Sequence, residues 1–468
     1  MHLNHQLNLK GNENFIKDIQ IDPDNVMTDN WKQKFTLLCE NFSDIIQYKP
    51  ATYNGFYGFV SNKIEFINLP PPCDKAFVPR YSKEMTDKLA AKMDELMEAG
   101  VLMKPEEVGV TPMFVSPSML VPKPGSNDFR FVSDFTKLNS FIRKMPAISP
   151  GIEETKLSIA SFKYLCSIDL SQFYFQHKLD REDMQYLGVI HPYKGVLLYS
   201  VSPMGLRNSG ELSYERLTRI FGDMQQKRQL CRQADSLIVG GSTLDELFTN
   251  LAEVFHRLRS CNLTIKPSKL IIAPQTVLMF GWEYSSQGWH PTSHTLNPLS
   301  IAPEPKTVKQ LRSWLGAAKQ LSACLDNYSI YFSPLEKIVS SRKSQEYITW
   351  TSELSQQFSK AKSMLNSVKT VHYPTPEDKI FTYSDYSQEH HSVGGRLEFV
   401  RKMSNGSLKT FHGGFFSTKV ADCKTRWQVC ESESLACKLV LEHFRPIIRE
   451  SSHIVTHYCD NAPTVQSG

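Results

Sequence analysis

The sequence predicts a globular protein of about three domains that contains both helices and strands, and three observations support this expectation. The chain has 468 residues, of which 41% are apolar and 22% charged, which is typical of a globular protein of several domains. Residues 83–102 repeat apolar side chains with a nearly helical period, which indicates an amphipathic helix with a buried face. Residues 164–168 form a short apolar run that indicates a β-strand.

The composition argues against several classes of protein. No run of about 18 apolar residues occurs, and the first residues lack the charged and then apolar pattern of a signal peptide, so neither a membrane span nor a secretory leader is predicted. The ten cysteines show no Cys-x-x-Cys pair and no Cys/His metal spacing. We therefore expect reduced thiols in an intracellular protein, with Cys430 and Cys437 as packing residues. The net charge of +5 permits a nucleic-acid partner without identifying one.

Two segments that precede the predicted strand differ in character. Residues 1–75 are polar and irregular apart from a short helical pattern near residues 31–42, which predicts a leader or linker that does not order alone. Residues 118–132 predict a β-hairpin with Lys123 at its tip and Arg130 at its exit. Such cations can hold a triphosphate, although the hairpin taken alone is better explained by two solvated charges.

The stretch YLCSIDLSQFYFQHKL at residues 164–179 combines a strand, a carboxylate and an aromatic run. The strand ends by presenting Asp169, and Tyr174 follows five positions later. A carboxylate binds a hard cation such as Mg2+ when substrate phosphates supply the remaining oxygens, and a nearby aromatic ring can limit the size of a sugar. Taken alone, the pair is better explained by a solvated aspartate and a core tyrosine.

The order of several blocks is more specific than any one of them. Along the chain these blocks are LVPKPGSNDFRFVSDFTKLN, SIDLSQFYFQHKL, SPMGLRNSGELSYERL, RQADSLIVGG, LTIKPSKL and MFGWEYSSQGW. In this order they resemble the reverse transcriptase of gypsy-type LTR retrotransposons. The later segments KQLRSWLGAAKQL and ITWTSELSQQF to YCDNAP resemble the thumb and RNase H domain of the same polyproteins. The resemblance covers roughly residues 75–468.

The resemblance implies an α+β fold: a right-hand polymerase of fingers, palm and thumb, followed by a truncated RNase H-like α/β domain. The expected domains are a leader or linker at 1–75, fingers and palm at 76–287, a thumb-like helical region at 288–368 and the RNase H-like domain at 369–468. Within the thumb we predict a helix at 308–325, with basic residues that suit duplex phosphates, and a turn at 327–335.

The resemblance also implies roles for individual residues of the polymerase. Asp169 matches the first metal-binding carboxylate, and the Leu170 carbonyl would help to hold the second ion. Tyr174 matches an aromatic gate that excludes a 2′-hydroxyl. The remaining matches are the cations that bind the triphosphate, Lys123 and Arg130; the loop that backs the incoming nucleotide, including Met204 and Gly205; and the turn that positions the primer, Met279, Phe280, Gly281 and Trp282.

The sequence departs from this family at the second metal-binding hairpin. Where such polymerases carry Tyr-x-Asp-Asp, this chain has Gln233-Ala234-Asp235-Ser236, so Asp235 remains and the next carboxylate is a serine. Two divalent ions bring four positive charges into one cleft, and serine cannot offset any of that charge. Gln233 also replaces the aromatic residue of the hairpin. We therefore predict that polymerisation is strongly reduced or absent.

The last segment has a carboxylate set of its own. By the resemblance, Asp385 and Asp460 match two strand-end aspartates and Glu433 matches a helix glutamate, which together bind two Mg2+ ions in RNase H domains. Glu431 is the second candidate for the helix position. The stretch after Asp385 is about two residues longer than its counterpart. The chain ends before a last helix and a further acid that the resemblance implies, so we expect low nuclease activity and a fragment of a longer polyprotein.

Two hypotheses about function follow. The first is an enzyme that copies RNA into DNA and degrades the RNA of the hybrid, with Mg2+ or alternatively Mn2+ as cofactor. Its partners would be an RNA template, a DNA primer, the RNA/DNA hybrid and deoxynucleoside triphosphates, in a cytoplasmic retrotransposon particle and without a membrane. The second is a catalytically inactive or repurposed copy that still binds nucleic acid. Ser236 and Gln233 favour the second hypothesis, and the retained acids favour the first. The oligomeric state is left open.

Overall fold

The chain divides into two compact units, Met1–Gln275 and Thr276–Gly468. Both units mix helices with sheets, so the predicted α+β class is confirmed. None of the helices described by the structure combines the length and apolar composition that a membrane crossing requires. This computed structural model describes residues 15–72, 78–122, 128–146, 155–156, 158–159, 162–233, 235–279, 281–340, 342–403, 405–420 and 427–460.

The first unit is built on a five-stranded sheet. In spatial order its strands are β1 (Gln20–Ile21), β10 (Ile271–Ile272), β5 (Tyr164–Asp169), β9 (Ser236–Gly241) and β8 (Leu230–Gln233). The pairing of β1 with β10 is parallel, and the other pairings are antiparallel. The strand predicted at residues 164–168 is therefore confirmed as β5, and it lies between two neighbours in the sheet.

Three helices contribute to the core around this sheet: α1 (Asp29–Asn41), α5 (Ser209–Gln226) and α6 (Leu244–Ser260). Helix α6 begins where the Thr243 hydroxyl accepts a hydrogen bond from the Glu246 N–H, 3.1 Å away. Helix α1 buries Phe35, Leu38 and Cys39 in the same core. Part of the segment predicted as a leader thus packs into the first unit, because α1 has an apolar face.

A second core in the first unit lies around a small sheet and a hairpin. The sheet has the order β2 (Leu102–Met103), β7 (Gly195–Tyr199) and β6 (Gly188–His191), and the hairpin pairs β3 (Ser118–Pro122) with β4 (Phe129–Ser133). The predicted hairpin is thereby confirmed. Helices α2 (Lys83–Glu98), α3 (Pro105–Val108) and α4 (Thr136–Asn139) belong to this region. As predicted, α2 buries one face, at Leu89, Ala90 and Met93.

The second unit begins with a four-stranded sheet of the order β11 (Thr276–Met279), β12 (Trp282–Ser285), β13 (Gly288–Pro291) and β14 (Val371–His372). Four helices follow its third strand: α7 (Ser293–Ser300), α8 (Val308–Lys319), α9 (Tyr328–Ser340) and α10 (Ser352–Met364). The turn predicted at 327–335 is wrong, because α9 continues through Pro334. The rings of Tyr328, Phe332 and Trp314 stack there, and this packing stabilises the helix despite the proline.

The last part of the second unit is a four-stranded sheet with the order β17 (Leu408–Lys419), β16 (Ser392–Lys402), β15 (Lys379–Ser387) and β18 (Thr456–Cys459). Strand β18 is parallel to β15, and the other pairings are antiparallel. Helices α11 (Val429–His443) and α12 (Arg445–Ile448) lie between β17 and β18 in the chain. Short 3-10 helices occur at Phe15–Asp18, Phe173–Gln176, Arg181–Tyr186, Pro267–Lys269, Ser322–Cys324 and Leu365–Ser367.

A half-buried histidine in this sheet predicts acid sensitivity. Burial, and then the positive charge of Lys369, lower the pKa of His412 to about 4. Between pH 6.5 and 4 the unfolded chain therefore takes up a proton that the folded chain does not, and stability falls as the pH falls. Between pH 7 and pH 5, we expect the free energy of unfolding of His412→Phe to fall by about 1 to 2 kcal/mol less than that of the unchanged chain, after allowance for solvent screening. Urea unfolding at pH 7 and pH 5 measures it, and equal losses in both proteins would contradict it.

Candidate functional sites

A strand end and a hairpin turn bring two carboxylates together in the first unit. Asp169 is the last residue of β5, and Asp235 lies in the turn that leads into β9. The Leu170 N–H donates a hydrogen bond to the Asp235 carbonyl oxygen at 3.2 Å, and the Lys266 N–H donates to the Asp169 carbonyl oxygen at 3.3 Å. Backbone hydrogen bonds thus hold both aspartates at one end of the central sheet.

The negative charge of Asp235 contributes to the electrostatic environment of Asp169. Burial raises the pKa of the Asp169 carboxyl, the negative charge of Asp235 raises it further, and Lys269 and Lys266 lower it. In the β5–β9 ladder Asp169 lies directly opposite Ser236, which adds a hydroxyl but no charge. The described part of this site therefore offers two carboxylates and one hydroxyl as oxygen donors, a chemistry that suits a hard divalent cation.

The chain turns sharply after Asp169. Gln172 adopts a left-handed conformation with φ of 44°, and the 3-10 helix Phe173–Gln176 follows. Tyr174 is half-buried, and burial followed by the charge of Asp235 raises the pKa of its hydroxyl. Leu170 is fully buried. The predicted aromatic gate thus lies within electrostatic range of the predicted metal-binding acids.

Gln176 anchors this loop and is a residue that the sequence interpretation missed. Its side chain is fully buried, and its amide nitrogen donates to the carbonyl oxygens of Ser171 (2.6 Å) and Thr264 (3.2 Å). Its amide oxygen accepts from the Thr264 N–H at 2.8 Å and from the Thr264 hydroxyl at 3.3 Å. The only signal in the sequence was a polar residue at the end of an aromatic run.

Apart from Leu170 and Tyr174, the residues predicted to bind the nucleotide are exposed where the structure describes them. Arg130 lies on β4 and is exposed, whereas Lys123 lies outside the described residues. Met204 is 59% exposed, and Gly205 has φ of 84°, a left-handed conformation that favours glycine. The Asn139 side chain donates to the Gly205 carbonyl oxygen at 2.9 Å, so α4 supports this loop.

The predicted primer turn lies in the second unit. Met279 pairs with Trp282 across the β11–β12 hairpin, and Phe280 lies outside the described residues. Gly281 has φ of 79°, and its carbonyl oxygen accepts hydrogen bonds from the hydroxyls of Thr292 and Thr295 at 2.9 and 2.7 Å. A Cβ atom at Gly281 would lie 2.2 Å from the Thr295 hydroxyl oxygen, so this turn requires glycine.

Three further acids meet in the second unit. Glu433 lies on α11 and is only 4% exposed, whereas Asp385 and Asp460 are exposed. Burial, and then the negative charges of Asp460 and Asp385, raise the pKa of Glu433 to about 7. The sequence placed Asp385 at a strand end, but β15 continues to Ser387, because its pairing with β16 extends that far.

Two neighbours of Glu433 have different roles. Glu431 is exposed, and its carboxylate accepts a hydrogen bond from the Gln428 N–H at 3.1 Å, so it caps the start of α11. Cys459 lies with its sulfur 4.0 Å from the Glu433 carboxylate, a position that the sequence interpretation missed. The adjacency of Cys459 to Asp460 was the signal that could have revealed it. No disulfide joins the described cysteines, in agreement with the reduced thiols that the sequence predicted.

Two protein-family models match separate parts of this chain. The family described as reverse transcriptase (RNA-dependent DNA polymerase) matches residues 121–284, which include Asp169 and Asp235. The family described as an RNase H-like domain found in reverse transcriptase matches residues 350–455, which include Asp385 and Glu433. The chain therefore contains a reverse transcriptase domain followed by an RNase H-like domain, as the order of the sequence blocks predicted.

The chain is homologous to Tf2 retrotransposon polyproteins. The Transposon Tf2-3 and Tf2-4 polyproteins of Schizosaccharomyces pombe are each 23% identical to it over 361 residues, which cover 76% of this chain and 26% of theirs. The chain thus spans about a quarter of the length of these relatives, and its resemblance to a retrotransposon polyprotein is confirmed.

Solved structures confirm the fold. The foamy viral protease-reverse transcriptase dRH in complex with double-stranded DNA matches with a TM-score of 0.76 at 18% identity, over 100% of this chain and 79% of that chain. The same viral protein in complex with an RNA/DNA hybrid matches with a TM-score of 0.68 at 18% identity, over 100% of this chain and 60% of that chain. The predicted polymerase fold with an RNase H-like region is therefore correct.

Proposed function

We propose that this chain is the polymerase and RNase H portion of a retrotransposon polyprotein, and that its polymerase step is weakened at Ser236. The observation that supports the weakened step is the position of Ser236 directly opposite Asp169 in the sheet. A carboxylate there would face the same cleft as Asp169, whereas the serine leaves the site one negative charge short. The neighbouring Asp235 keeps the site able to hold a cation.

In the proposed polymerase reaction, the residues of the first unit have distinct roles. A divalent cation, Mg2+ or alternatively Mn2+, supplies activation of the primer hydroxyl and neutralisation of the phosphate charge when it is bound. Asp169, Asp235 and the Leu170 carbonyl oxygen would hold it. Tyr174 would exclude a 2′-hydroxyl, and Arg130, together with Lys123, would bind the triphosphate.

Two further turns are proposed to position the nucleic acid. The loop at Met204 and Gly205 would back the incoming nucleotide, and the turn at Met279–Trp282 would hold the primer end. The foamy viral relatives whose structures contain double-stranded DNA or an RNA/DNA hybrid support such partners. The proposed substrates are therefore an RNA template, a DNA primer and deoxynucleoside triphosphates, within a cytoplasmic retrotransposon particle.

The proposed nuclease reaction uses the acids of the second unit. Asp385, Glu433 and Asp460 would hold the cation, and their crowding supports this because a cation relieves their mutual repulsion. The acids would also orient the water that attacks an RNA phosphodiester in the hybrid. All three of these carboxylates are present, whereas the polymerase site has Ser236 in place of one carboxylate.

A second candidate is a protein that binds a primer–template without extending it, and Ser236 is the observation that favours it. Filter binding and primer extension on the same RNA template with a DNA primer separate the two. We expect salt-dependent binding together with slow extension in Mg2+. Binding without extension, even after Ser236→Asp, would establish the binding protein instead. Failure to bind the primer–template would overturn both.

A further inference from the structure

A thiol lies inside the acidic cluster of the second unit. Cys459 ends β18, directly before Asp460, and its sulfur lies 4.0 Å from the Glu433 carboxylate oxygen. The ligand atoms of Glu433, Cys459 and Asp460 all lie within 4.8 Å of one another. Hard cations such as Mg2+ take oxygen ligands and gain nothing from a sulfur at this position, whereas thiolates favour softer metals.

We propose that Glu433, Cys459 and Asp460 form a site for a thiophilic divalent cation, with zinc as the expected ion. Zinc binds thiolate sulfur at about 2.3 Å and carboxylate oxygen at about 2.0 to 2.2 Å, so a tetrahedral site separates these ligands by about 3.5 Å. The observed sulfur–oxygen distance of 4.0 Å needs only a small approach of the two side chains. Three protein ligands leave the fourth position open to water.

Among the described side chains, the cluster of mutually close ligand atoms consists of these three residues, and two further nearby groups have other partners. His457 is engaged at both ring nitrogens, with the hydroxyls of Thr382 at 2.9 Å and Ser384 at 3.0 Å. Cys437 lies one helical turn after Glu433, but its sulfur contacts the Ser384 hydroxyl at 3.3 Å. Cys437 is therefore a matched control, since it is a second half-buried thiol close to the cluster and outside the ligand set.

The proposed zinc site shares Glu433 and Asp460 with the proposed nuclease site, so the two cations compete. Zinc would occupy two acids that the nuclease needs and would inhibit cleavage of the hybrid. This inhibition rests on the proposed RNase H function, whereas zinc binding itself does not. The proposed regulation is therefore inhibition of the nuclease by a thiophilic metal, which binds Cys459 in addition to two of the three carboxylates.

Cobalt as a spectroscopic substitute for zinc tests the site on the full chain. We expect Co2+ to give a thiolate charge-transfer band in the near ultraviolet, and one equivalent of Zn2+ to remove it. Cys459→Ser should abolish the band and weaken Zn2+ binding about 10- to 100-fold, measured by competition with a chromophoric chelator. Cys437→Ser should retain both. Absence of the band in the unchanged chain, or its retention in Cys459→Ser, would overturn the proposal.

Cleavage of an RNA/DNA hybrid in Mg2+ separates the zinc site from the nuclease function. Each protein is compared with its own rate without zinc, and the Zn2+ concentration for half inhibition should rise at least about 10-fold in Cys459→Ser and stay unchanged in Cys437→Ser. If no hybrid is cleaved in Mg2+ or Mn2+, the proposed nuclease function fails, and the cobalt band still decides the zinc site. Equal inhibition of all three proteins would overturn the competition.

Discussion

Replacing Ser236 with aspartate is expected to raise primer extension in Mg2+ by on the order of 100-fold, the size of effect that one well-placed electrostatic group has in an active site. Residues directly opposite in an antiparallel sheet have Cβ atoms about 4.5 to 5.5 Å apart, so the new carboxylate would lie beside that of Asp169. It would supply the negative charge that Ser236 lacks. Single-nucleotide incorporation on an RNA template measures the effect.

Ser236→Asn is the matched control, because it has nearly the volume of aspartate and no charge. It should extend no faster than the unchanged chain. Without metal, Ser236→Asp should melt at a lower temperature, since like charges directly opposite in a sheet are destabilising, and Mg2+ should restore its stability. Equal extension by all three proteins would show that Ser236 does not limit the reaction.

Replacing Glu433 with glutamine is expected to reduce Mg2+-dependent cleavage of the RNA strand by at least about 100-fold. Glutamine keeps the shape of the side chain but removes a buried charge that the metal would need. The same change should raise the melting temperature without metal, because the charges of Asp460 and Asp385 no longer crowd a third carboxylate. Gel analysis of a labelled hybrid and thermal unfolding provide the two measurements.

The control for this experiment lies two residues earlier on the same helix. Glu431 caps the start of α11 through the Gln428 N–H, so Glu431→Gln is expected to lower stability by up to about 1 kcal/mol and to leave cleavage unchanged. If the two substitutions reduce cleavage equally, Glu433 has no special part in the reaction. Loss of cleavage in Glu431→Gln alone would make Glu431 the helix carboxylate.

The sequence was most informative where local pattern and tertiary structure agree. Strand β5 with Asp169 at its end, the β3–β4 hairpin and the buried face of α2 follow from periodicity and turn residues, which depend on nearby positions only. Helix α9 was missed because its stacked rings outweigh the local effect of Pro334. Cys459 was missed because its ligand neighbour Glu433 lies on another element, and such a contact leaves no spacing in the chain.

The anchoring of the loop by Gln176 has a consequence for how this region opens. The Ser171 hydroxyl donates to the Gln47 carbonyl oxygen at 3.0 Å, and the Tyr53 N–H donates to the Gln176 carbonyl oxygen at 2.8 Å. The loop that carries Asp169 and Tyr174 therefore shares one hydrogen-bonded layer with residues 47–53. The Tyr53 amide proton is therefore expected to exchange with solvent only when the contact between this loop and the early segment opens.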